Sequence, residues 1–90
     1  MTGTLLYCSP ERQKGDNNSE KEDAWALGVI AYYLCTFTQP FLMETTDKIK
    51  DAILNKKLSP VTSHGQTMRH LIDSLLTKEH EKRPSIAQIL

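Results

Sequence analysis

Few residues of this chain are of types that could do chemistry, and their spacing excludes most of what they could do. Cys8 and Cys35 lie far apart in different contexts and read as free thiols. Neither they nor His64, His70 and His80 fall into Cys-x-x-Cys or His-Glu-x-x-His spacing, so no metal centre is expected. Gly3, Gly15, Gly28 and Gly65 are isolated, so no glycine-rich loop lays backbone amides around a phosphate. What remains is a hydroxyl-bearing segment, Thr2, Thr4 and Ser9, followed by Glu11, with Asp23 and Arg83 further along. Such residues suit anchoring and recognition: a carboxylate favours a helix N-terminus, and a guanidinium can grip a carboxylate through two hydrogen bonds.

The elements that must position these groups are helical. Residues 1 to 9 read as an extended loop, closed by Pro10, which biases Ser9 away from helix and can itself open a short helix ending at Gly15. A polar turn leads to a helix capped near Ser19, with Glu20, Glu22 and Asp23 in its first turn, running through Trp25 to Cys35. That helix has no polar face and therefore needs neighbours on every side. An amphipathic piece from about Thr45 to Lys56 carries Ile49, Ala52 and Ile53 on one face. Ser63-His64-Gly65-Gln66 matches a capping box before a stripe of Met68, Leu71, Ile72, Leu75 and Leu76. Lys78 to Lys82 reads as a charged turn, and Ser85-Ile86-Ala87-Gln88 as a second capping box opening a helix that looks cut at Leu90. The fold class expected is all-α, about four helices behind an N-terminal loop.

Composition narrows the function classes. Eleven basic and eleven acidic residues balance, with 39% hydrophobic and 7% aromatic residues, the profile of one globular unit. Neutrality argues against nucleic acid or an anionic membrane surface as partner. The longest apolar stretch, Ala24 to Cys35, is far short of the roughly 20 residues that span a bilayer. The N-terminus lacks a secretory pattern, so an intracellular, cytoplasmic setting is expected. A unit of this size buries only about two-thirds or less of its unfolded surface and is thinly stabilised unless something else covers it.

The order of motifs then points to a family. Gly3-Thr4-x-x-Tyr7-x-Ser9-Pro10-Glu11, Asp23-x-Trp25-Ala26-Leu27-Gly28-Val29, Pro40-Phe41 and Arg83-Pro84-Ser85 together resemble the C-terminal lobe of a eukaryotic protein kinase, across essentially all 90 residues. The Gly-Thr-x-x-Tyr-x-Ser-Pro-Glu form is similar to the serine/threonine branch. Asp-x-Trp-Ala-Leu-Gly, Leu34-Cys35-Thr36, Pro60-Val61 and Arg-Pro-Ser-Ile-x-x-Ile-Leu are similar to the NIMA-related kinases.

The resemblance implies roles residue by residue. Gly3, Thr4 and Tyr7 would form the loop that docks the substrate residue beside the phosphoacceptor, with the Thr4 hydroxyl directed toward the catalytic aspartate and lysine. Glu11 and Arg83 would form a buried ion pair tying that loop, with Ser9 and Pro10, to the last helices. Asp23 would accept backbone hydrogen bonds from the catalytic loop, Trp25 would pack near the Pro10 segment, and Gly28 would let another backbone come close. The family's main activating hydroxyl would fall just before Met1, while Thr2, Thr4 and Ser9 are candidate phosphorylation targets.

Phosphoryl transfer needs a phosphate-covering loop, a lysine, a metal-binding aspartate and a catalytic aspartate with its asparagine. None of these motifs is in the sequence. Residues 1–90 are thus expected to be a partial kinase domain, with no catalytic residue, cofactor or metal site of its own. ATP and magnesium are implied for an intact relative, and a protein substrate as its partner. Alone, the chain is expected to be inactive, marginally folded and to expose apolar surface. The alternative, from a different class, is a pseudokinase remnant or non-catalytic binding module; a free-standing helical domain would make the four motifs coincidence.

Overall fold

A computed structural model describes residues 5–15 and 19–89. These residues form α1 (Pro10–Gln13), α2 (Ser19–Thr36), α3 (Thr46–Asn55), α4 (Gly65–Leu75), a 3₁₀ turn at His80–Lys82 and α5 (Ile86–Ile89), with no strand among them. The all-α expectation holds. Of these helices, α1 and α5 are only one turn long.

Local chemistry accounts for most boundaries. Ser9 is extended (φ −72°, ψ 160°) because Pro10 follows it, and Pro10 opens α1 where a missing N–H costs nothing. Gly15, at φ +88°, supplies the left-handed step past the end of α1. Thr45 caps α3 by accepting from the Lys48 N–H at 3.2 Å. The Ser85–Gln88 capping box forms reciprocally: the Gln88 N–H donates to Ser85 Oγ at 3.3 Å, and the Ser85 N–H donates to Gln88 Oε1 at 2.8 Å.

The Ser63–Gln66 box does not form. The helix starts at Gly65 with His64 in the capping position and no side-chain cap. Gly65 takes φ +83°, incompatible with the continuous helical turn that such a box requires between Ser63 and Gln66. The Ser63 hydroxyl instead donates to the Cys35 carbonyl at 3.2 Å and lies 2.7 Å from His64 Nδ1.

α2 is the central element, and it is buried along one side only. Ala24, Trp25, Val29 and Tyr32 are buried, whereas Leu27, Ile30, Tyr33 and Leu34 are exposed. One cluster gathers Leu6, Trp25, Val29 and Phe41 with Ile49, Ala52 and Ile53 from α3. A second joins Tyr32 to Val61 and Ile72, and Leu58 and Leu76 pack against both. Gly28 sets the approach of α2 and α4: a Cβ there would lie 2.8 Å from Leu75 Cβ and 2.9 Å from Leu76 Cδ2. Glycine's cost in a helix, about 1 kcal/mol relative to alanine, is thus exchanged for close packing. At the end of α2, Phe37 adopts φ +55°, where glycine is usual, and stands 81% exposed.

Candidate functional site

The site is built around Arg83. It lies between the 3₁₀ turn and α5 in extended backbone (φ −82°, ψ 131°), the conformation that the following Pro84 imposes. From there its guanidinium reaches back to α1, where Nη1 donates to Glu11 Oε2 at 2.8 Å and Nη2 to Glu11 Oε1 at 3.0 Å. Both residues are buried, at 1% and 3% exposure. The other three donor positions are also used: Nε donates to Thr77 O (2.9 Å), Nη1 to Lys21 O (2.9 Å) and Nη2 to Lys78 O (3.3 Å). A guanidinium has five N–H donors, and all five are engaged.

Such saturation is what makes burial of the pair tolerable, because desolvated charges are costly unless their hydrogen-bonding capacity is met. The Glu11 carboxyl shows the balance. Burial pushes its pKa up, but the hydrogen bonds and charge of Arg83 outweigh this and hold it below its ordinary value of 4.5. The Trp25 ring lies against the other side of the cation, with its centroid 4.9 Å from Arg83 Cζ. Lys21 Nζ donates to the Arg83 carbonyl, so the start of α2 is joined to Arg83 in both directions. One side chain therefore ties together α1, the first turn of α2 and the segment between α4 and α5.

Beside this anchor is a surface depression of about 420 Å³ that includes Leu5, Tyr7, Cys8, Ser9, Arg12 and Asp23. Arg12 bridges to Glu22 at 3.0 Å on its rim. Burial pushes the Cys8 thiol up, against a lowering by Arg12. Of the residues singled out in the sequence, Tyr7, Ser9 and Asp23 thus share one depression, which Glu11 and Arg83 do not line. Tyr7 and Asp23 are exposed, and Ser9 is buried. Gly3 and Thr4 lie outside the described residues. Trp25 stacks on Phe41, with centroids 5.4 Å apart and planes 15° from parallel, in addition to its contact with Arg83. Its ring meets Phe41 and the cations of Arg83 and Lys78.

Lys78 opens the charged turn expected from sequence, but its side chain packs inward and is only partly exposed. Its Nζ lies 5.1 Å from the Phe41 ring centroid and 5.6 Å from that of Trp25, and it donates to the Ile53 carbonyl at 2.6 Å. Burial pulls its pKa down from 10.5 to about 8, opposed by the charge of Glu79. No helical periodicity covers the turn, so the sequence held no signal for this position. The roles of Thr77 O, Lys21 O and Lys78 O were equally hidden, because a carbonyl that receives a distant side chain leaves no mark on residue type.

A helical unit held by a buried, fully bonded Glu–Arg pair between a Ser-Pro-Glu segment and an Arg-Pro-Ser segment is the arrangement that the motifs imply, and residues 1–90 match the protein kinase domain. The chain belongs to the protein kinase domain family, and its relatives are serine/threonine kinases. It is 37% identical over 94 residues to a calcium and calcium/calmodulin-dependent serine/threonine-protein kinase of Pisum sativum, covering 100% of this chain and 18% of that protein. It is 32% identical over 91 residues to the serine/threonine-protein kinase Nek10 of Mus musculus, covering 99% and 8%. To Nek1 of Mus musculus it is 33% identical over 89 residues, covering 98% and 7%. The chain thus spans less than a fifth of each of these relatives, and the two kinds of kinase match it about equally well.

Proposed function

We propose that this chain is the substrate-docking and scaffold part of a serine/threonine kinase domain that transfers the γ-phosphoryl group of ATP to protein hydroxyls. The observation that carries the reading is the Glu11–Arg83 anchor. It fixes the base of the segment holding Tyr7 and Ser9 to the last helices, so that a docking loop formed by Gly3, Thr4 and Tyr7 would have a rigid floor. The depression beside Tyr7 and Asp23 is the surface on which a substrate chain would rest.

The phosphate-binding and catalytic motifs are absent from the sequence. Chemistry would therefore be supplied by sequence corresponding to the rest of a kinase domain, with ATP and magnesium bound there. The exposed side of α2 is the face that such sequence would cover. No helix among the described residues is long and apolar enough to cross a membrane, and an intracellular setting fits the reading. The motif texture favours a NIMA-related kinase within the serine/threonine branch.

The test is a graft. Residues 1–90 replace the matching stretch of Nek1, and transfer of radiolabelled phosphate to a serine/threonine peptide library is measured. Activity in the graft, absent from the 90-residue chain alone, is the expected result. A folded graft that binds ATP but transfers no phosphate would favour the non-catalytic module instead.

A further inference from the structure

A second, differently built cavity, partly open to solvent, is lined by Lys78. It has a volume of about 310 Å³, within the size range of small-molecule sites. Its apolar wall is formed by Phe41, Leu58, Ile72 and Leu76, drawn from both hydrophobic clusters. Its charged groups are unbalanced: Lys56, Lys57 and Lys78 line it against a single carboxylate, Asp73.

Lys78 is the distinctive group. An ammonium carries three N–H donors, and the recorded hydrogen bond uses one, to Ile53 O. The ring faces of Trp25 and Phe41 stabilise the cation from one side, but no carboxylate pairs with it among the described residues. Asp73 lines the same cavity and Glu79 is adjacent in sequence, yet neither forms an ion pair with Nζ. Lys56 is partly committed, donating to Pro40 O at 3.0 Å. The lowered pKa of Lys78 agrees with a cation that has lost water without gaining a full counter-charge.

We infer that this cavity is a binding site for a small amphipathic carboxylate, whose apolar body packs on Phe41, Leu58, Ile72 and Leu76 and whose carboxylate pairs with Lys78. Such a ligand supplies both of the things the cavity lacks, apolar atoms to fill it and an anion for the half-buried ammonium. A neutral amphiphile of the same length would fill the space but leave the cation unpaired. A polar anion without an apolar body would leave the wall wet. The inference is independent of any kinase activity.

The probes are octanoate and octanamide, titrated into the full isotope-labelled chain and followed by the amide resonances of Leu58, Ile72, Leu76 and Lys78. Octanoate is expected to shift these resonances saturably and to bind roughly tenfold or more tightly than octanamide, the difference expected for a hydrogen bond to a charged group. Lys78→Met is expected to abolish that preference and Lys78→Arg to keep it, while Lys57→Met on the exposed rim leaves most of it in place. Thermal unfolding of each variant separates loss of binding from loss of fold, and the comparison of octanoate with octanamide in the unmodified chain requires no variant. Equal affinity for the two probes would overturn the inference. So would shifts confined to Leu27, Ile30, Leu34 and Phe37, which would mean that the amphiphile merely coats the exposed side of α2.

Discussion

Glu11 and Arg83, 72 positions apart, meet in a bidentate ion pair at 2.8 and 3.0 Å, and the same guanidinium donates to three backbone carbonyls. That single side chain joins the N-terminal segment, the start of α2 and the C-terminal segment. Breaking a buried pair strands the remaining charge, so Glu11→Ala or Arg83→Ala should each cost about 3–5 kcal/mol. Arg83→Lys should also be strongly destabilising, because an ammonium cannot reproduce the planar fork. Urea unfolding of the three variants measures this, and a loss below about 1 kcal/mol in all of them would contradict a buried pair.

The same pair gives an acid limb to stability. The Glu11 carboxyl titrates below 4.5 when folded, so on acidification the unfolded chain takes up the proton first. The stabilisation is fully present above about 4.5 and is lost as pH falls through the depressed folded value. Urea midpoints across that range should fall in the unmodified chain, and Glu11→Gln, which has no proton to take up there, should flatten the fall.

Lys78 acts at the other end of the scale. Its folded pKa is about 8 against an ordinary 10.5, so between these values the folded amine has released a proton that the unfolded one retains. Its contribution to stability should therefore rise with pH from about 8 to about 10.5, after which it levels. Lys78→Met should remove this rise, which chemical denaturation over the alkaline range would detect.

Gly28→Ala tests the packing of α2 on α4. Alanine would gain helix propensity of about 1 kcal/mol, but its methyl would sit 2.8 Å from Leu75 Cβ, an atom fixed to the α4 backbone. Overpacking of this kind costs about 1–3 kcal/mol, so the variant should melt lower, and Gly28→Val lower still. A raised melting temperature would show that the two helices can separate freely.

The exposed side of α2 should register in a dye experiment. Leu27, Ile30, Tyr33 and Leu34 leave apolar surface uncovered, with Leu34 at 61% exposure and Phe37 beyond it at 81%. The chain should enhance the fluorescence of a hydrophobic dye, and Leu34→Glu with Phe37→Ser should reduce that signal without lowering stability.

Much of this architecture was legible in the sequence because it follows from local chemistry. Proline set both extended approaches, before Pro10 and before Pro84, and threonine and serine marked the starts of α3 and α5. The apolar stripe of α4 marked its body, but not its first turn, since the Ser63 hydroxyl had a tertiary acceptor that no local pattern reveals. The Glu11–Arg83 pairing came from motif resemblance. Spacing alone could not bring together residues that far apart. Lys78 was illegible for a related reason: its charge reads as a surface residue, and only the positions of Trp25, Phe41 and Ile53 draw it partly out of solvent.

Under the proposed function this stretch is the docking and scaffold part of a larger catalytic polypeptide. The most direct test is the intact mass of the endogenous protein, recovered with an antibody against residues 63–82 and assayed for phosphoryl transfer. A species several times larger than 10.2 kDa that phosphorylates serine or threonine is the expected result. A stable species of 10.2 kDa, with no larger one, would contradict the claim and make the chain a non-catalytic binding module.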